Sequence, residues 1–67
     1  MNELDLHSVR YHDVDRIVEN YVLMNTTPLN IITGRSDRMK YLVTNVLRKH
    51  RFKWYIRSHN AGMITVI

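Results

Sequence analysis

The sequence predicts one small α/β domain: a two-layer sandwich in the order βαβαββ, with a four-stranded mixed sheet and two helices on one of its faces. Three observations predict it. Apolar periodicity switches from two to 3.6 and back twice, then stays at two to the end of the chain. Turn and cap residues stand at the switches. Sixty-seven residues suffice for one core and no more, so residues 1–67 form a single domain.

Residues 3–7 alternate: Leu4 and Leu6 face one way, Asp5 and His7 the other, which is a strand. Ser8 is a turn or N-cap residue. From Val9 to Met24, Val14, Ile17, Val18, Tyr21 and Val22 form the apolar stripe of an amphipathic helix. Asp13 and Asp15 suit its positive end, and Pro28 cannot continue it. Leu29-Asn30-Ile31-Ile32-Thr33 reads as a buried strand, and Gly34-Arg35-Ser36 as the turn after it.

Ser36 or Asp37 caps a second helix whose stripe, Met39, Leu42, Val43, Val46, Leu47 and then His50, is the clearest in the chain. Arg48, Lys49 and Arg51 suit its negative end. Residues 52–57 alternate as a strand, with Trp54 expected in the core and Tyr55 and Arg57 on the opposite, open face. Residues 58–62 form a turn and 63–67 a last strand, antiparallel to the one before. Both strand–helix–strand units are expected to pair in parallel.

With this size, stability should be modest, about 5 kcal/mol. The chain has no cysteine, which excludes disulfides and cysteine-based zinc sites and fits a reducing compartment. No apolar run approaches the roughly 18 residues of a membrane span, and the first residues are acidic, unlike a secretory signal. The expectation is a soluble, cytoplasmic monomer with no membrane partner.

Charge is distributed unevenly. Residues 1–34 carry five carboxylates against Arg10 and Arg16, a net of −3. Residues 35–67 carry eight Lys or Arg against Asp37 alone, a net of +7. That asymmetry suggests a polyanion such as RNA or DNA as partner. The run from Arg48 to Arg57 interleaves cations with aromatic rings, a mix that holds phosphates and stacks bases, although helix-end cations followed by an ordinary strand explain it equally well.

The topology places a site. Parallel strands end on one sheet edge, so His7-Ser8, Gly34-Arg35-Ser36 and the starts of both helices should converge there. The turn holding His59 and Gly62 should reach the same edge. Open α/β sheets bind ligands outside this carboxyl edge, and Arg35 adds a guanidinium fork for phosphate. Asp5 and His7 share one face of a strand: either His7 moves protons while Asp5 orients it or a hydrated metal, or the two are tied into local turns at the strand end. His12 and His59 are single histidines, and no metal site is assigned to either.

These residues resemble a family. Leu4-Asp5-Leu6-His7 is similar to the Leu-Asp-Leu-His-Gly signature of Smr (Small MutS-Related) domains. Ile32-Thr33-Gly34-Arg35 resembles their Thr-Gly-Lys/Arg-Gly turn, and Gly62 with Met63-Ile64-Thr65-Val66-Ile67 resembles their closing glycine and strand. Order and spacing agree from about residue 3 to the end. The resemblance implies a sheet related in shape to the C-terminal domain of translation initiation factor three. It also implies nucleic-acid binding, and endonuclease activity on RNA or DNA with Asp5 and His7 catalytic and Gly34 in the site. Together with the residues placed by topology and alternation, the candidate binding set is Gly34, Arg35, Ser36, Tyr55, Arg57, His59 and Gly62, with Mg2+ the cofactor to test if the chain cleaves. Ser8 and Ser36 stand where the family carries glycine, and Met63-Ile64 lacks a further glycine. The alternative is a non-catalytic module that binds nucleic acid, or a protein partner within a larger machine such as the ribosome.

Overall fold

The computed structural model describes residues 3–57 and 60–67. Six elements follow in the order β1 (Glu3–Asp5), α1 (Tyr11–Met24), β2 (Leu29–Ile32), α2 (Asp37–Lys49), β3 (Trp54–Arg57) and β4 (Asn60–Val66). The predicted α/β sandwich is the observed one. A four-stranded mixed sheet in the order β1-β2-β4-β3 carries α1 and α2, which pack against each other and against its apolar face.

The core forms where the two periodicities meet. Val14, Val18 and Val22 of α1 and Met39, Val43, Val46 and Leu47 of α2 are buried against Leu6, Leu29, Ile31, Ile64 and Val66. Leu4, Ile17, Leu42, Phe52 and Trp54 close its margin. The other face carries the alternate residues. Glu3, Asn30, Thr65 and Tyr55 form one row across all four strands by register, and the Thr65 hydroxyl donates to Asn30 Oδ1 at 2.9 Å.

Several boundaries move for local reasons. β1 stops at Asp5 rather than His7, because the Asp5 carboxylate captures the His7 N–H and takes it from the ladder. Leu6 still donates to Ile32 O at 2.9 Å. Val9 is outside α1: its N–H closes a turn onto Leu6 O, and the helix begins at Tyr11 with Arg10 as a cap without a side-chain bond. Ser8 is therefore a turn residue and not a cap. β2 ends at Ile32, because the Thr33 N–H turns to Gly62 O. Ser36 caps α2 as expected, accepting from Met39 N–H at 3.1 Å.

One pairing expectation is corrected. β1 and β2 pair in parallel, but β2 and β3 do not touch, because β4 lies between them and pairs antiparallel with both. The reason is burial. β4 brings Ile64 and Val66 to the core and takes a central place, whereas β3, with Tyr55 and Arg57 on one face, takes an edge. β4 also begins at Asn60, so Asn60-Ala61-Gly62 are strand and not turn. Trp54, expected in the core, is half-buried on this edge, with the Arg48 guanidinium over its ring at 5.5 Å.

Candidate functional site

At the carboxyl edge of β1, Asp5 and His7 form a bonded pair. Asp5 Oδ1 accepts from His7 N–H at 2.9 Å and faces His7 Nδ1 at 2.8 Å. The His7 backbone N–H is the largest cause holding the Asp5 carboxyl below its usual range, and the imidazole adds to it. An ionised carboxylate only accepts, so Nδ1 carries the proton and Nε2 of the neutral ring is left as an acceptor. Both side chains are open to solvent, 61% and 64% exposed. The pair is an oriented acid–base group reachable by a large substrate.

The Gly34 turn lies directly beneath that ring. Gly34 has φ +67°, and a Cβ there would sit 3.1 Å from His7 Nε2. Glycine is needed twice, for the left-handed backbone and for the space. Gly62 O accepts from both Thr33 N–H (2.8 Å) and Gly34 N–H (3.1 Å), which ties the end of β2 to β4. Three segments far apart in sequence, residues 5–7, 33–34 and 62, thus meet as expected.

The two helix starts also meet. The Tyr11 and Ser36 hydroxyls lie 3.3 Å apart, and the Arg38 guanidinium stacks over the Tyr11 ring at 4.4 Å. Tyr11 is 41% exposed. Arg35 is exposed, next to Gly34, and forms no ion pair among the described residues. Tyr11 and Arg38 were not among the residues expected here. Their signal was positional: each stands at the start of a helix that opens onto this edge.

Other candidates lie elsewhere. Tyr55 and Arg57 are on β3, three strand spacings from β1, about 14 Å. They share the face opposite the helices, where Arg57 Nε donates to Thr65 Oγ1 at 3.4 Å and Tyr55 is exposed. Ser58 and His59 lie outside the described residues. His12 pairs locally with Asp13 at 3.4 Å. Among the described residues no group of three or more histidines and carboxylates could hold a metal. The groove of about 300 Å³ between the helices, lined by Asp15, Arg16, Glu19, Asn45, Val46 and Lys49, contains none of the candidate residues. No described helix is long and apolar enough to cross a membrane. Comparison with family models, curated proteins and solved structures finds no match to this chain.

Proposed function

We propose that the chain is a nucleic-acid-binding domain that engages a phosphodiester at the carboxyl edge of its sheet, where His7 acts as general acid–base. The observation that carries this reading is the Asp5–His7 bond at 2.8 Å beside the Gly34 turn. It fixes the tautomer, orients the ring and leaves Nε2, which lies over Gly34, as the ring's acceptor. The similarity of these same residues to the Smr motifs supports the reading, and so does the exposed Arg35 beside Gly34.

In the reaction, His7 Nε2 takes the proton of an attacking hydroxyl, from water or from a ribose. The new oxygen–phosphorus bond forms as the bond to the leaving oxygen breaks, and the imidazolium returns the proton to that oxygen. Asp5 holds the ring and offsets its charge, and Arg35 meets the phosphate oxygens with its donor fork. A magnesium ion fits this edge poorly. Such an ion wants several oxygen ligands, whereas Asp5 Oδ1 already receives two N–H groups. No step is assigned to a metal.

A second reading is binding without chemistry, to nucleic acid or to a protein within a larger machine. Ser36 favours it: where Smr domains carry glycine, its hydroxyl is committed to capping α2. One experiment separates the two. Labelled single- and double-stranded RNA and DNA are incubated with wild type and His7→Ala, with and without magnesium, and read for both complex and product. The expected result is salt-sensitive binding by both proteins and product from wild type only. Equal product from both would remove His7 from the mechanism. Complex without product would establish the binding-only reading, and no complex at low salt would overturn nucleic-acid binding at this edge.

A further inference from the structure

The charge asymmetry of the sequence is not centred on the edge just described. The thirteen residues of α2 carry the chain about 20 Å away from that edge, and its other end is a separate basic pole. Arg48, Arg51 and Lys53 are all exposed there. The neighbouring carboxylate, Glu19, is already engaged by His50 Nε2 at 2.6 Å and by Lys49 at 3.8 Å. Among the described residues no carboxylate pairs with Arg48, Arg51 or Lys53.

Arg51 stands out on backbone grounds. α2 ends in a Schellman turn: Phe52 N–H donates to Leu47 O at 2.9 Å and Arg51 N–H to Arg48 O at 3.1 Å. The residue after the cap in this motif takes positive φ and is usually glycine. Here it is Arg51, at φ +62°, the one non-glycine residue with positive φ among those described. A β-carbon is disfavoured in that conformation, so the side chain is held at the expense of local stability. Beside it, the Arg48 guanidinium lies over the Trp54 ring, 5.5 Å from its centroid, and remains exposed.

We propose that this pole is a second binding surface, for single-stranded nucleic acid, in which the Arg48 guanidinium stacks a base while Arg51 and Lys53 hold neighbouring phosphates. The forked guanidinium of Arg51 and the ammonium of Lys53 suit phosphate oxygens. The Arg48 guanidinium beside the Trp54 ring favours a base-bearing strand over an acidic peptide, because both groups can stack bases. The surface does not depend on the edge reading, since it shares none of its residues.

The test uses Trp54, the one tryptophan in the sequence, as its own reporter. An unlabelled single-stranded RNA is titrated into wild type, Arg51→Gly, Arg51→Gly/Lys53→Gln and, at the other edge, Arg35→Gln. The expected result is a saturable change in Trp54 emission that persists in Arg35→Gln. In the double variant the slope of log affinity against log salt should shrink by about 1.4, from about 0.7 per lost contact. Arg51→Gly alone should raise Tm by about 4 °C, which shows that any weaker binding is not unfolding. An unchanged slope, or no emission change at low salt, would overturn the proposal. An equal emission change with poly-glutamate, or with vesicles of anionic lipid only, would overturn it in favour of an acidic protein or a membrane surface. A lower Tm for Arg51→Gly would overturn the argument from backbone strain. Loss of binding confined to Arg35→Gln would sink this pole and leave the edge standing; loss confined to the double variant would do the reverse.

Discussion

The hydroxyls of Tyr11 and Ser36, twenty-five residues apart in sequence, lie 3.3 Å from each other and join the starts of the two helices. Ser36 Oγ meanwhile accepts from Met39 N–H, so one atom serves both a cap and a tertiary contact. Ser36→Ala should therefore lose about 1 kcal/mol from the cap and more from the contact. Tyr11→Phe, which keeps the Arg38 stack, should lose about 0.5–1 kcal/mol. Urea unfolding of both singles and the double variant gives the coupling. Strict additivity would mean that the hydroxyl contact contributes nothing.

Gly34→Ala should destabilise the fold by about 1 kcal/mol through its positive φ, and should also move the His7 ring, because the added carbon would sit 3.1 Å from Nε2. Thermal unfolding reads the first effect and the imidazole NMR resonances the second. Resonances that stay in place would show that the turn does not position His7.

Stability should fall on acidification below about pH 4.5. Glu19 is held below its usual 4.5, first by the bond from His50, and Asp5 below its usual 3.8, first by the His7 backbone N–H. A carboxyl with a lowered folded-state pKa binds fewer protons folded than unfolded. Its contribution is therefore complete above the unfolded pKa and is lost as pH falls through the folded one. Melting temperatures taken from pH 6 to pH 3 should show a shallower acid limb in Glu19→Gln than in wild type. Superimposed limbs would exclude Glu19 as a source.

Leu47→Ala removes a fully buried side chain from the end of α2, where Phe52 also packs. A cost of about 2–5 kcal/mol is expected, comparable to the whole stability of a domain this size. The variant should be largely unfolded at 37 °C by circular dichroism, and a Tm close to wild type would mean that the core is not seated on this residue.

The elements themselves were legible because their signals are local. The α2 stripe from Met39 to Leu47, the Ser36 cap and the Gly34 turn each occupy one short stretch of chain, and each appears as expected. The convergence of His7 with Gly34 followed from parallel β1 and β2 alone. The misplaced boundaries had local causes too: Asp5 captures the next-but-one N–H, and the turn from Leu6 to Val9 delays α1. Nothing in an alternating pattern distinguishes a strand end from a side chain that imitates the ladder.

By itself, then, the sequence determined six elements, which face of each is apolar, and the meeting of Asp5, His7 and Gly34 at one edge. Only the tertiary structure decided that β4 separates β2 from β3, that Trp54 sits partly buried under Arg48, and that the basic residues divide between two poles. The physical reason is that periodicity and capping depend on neighbours a few residues away. Strand order depends on which strands gain most from a central place, and that choice is settled among segments distant in the chain.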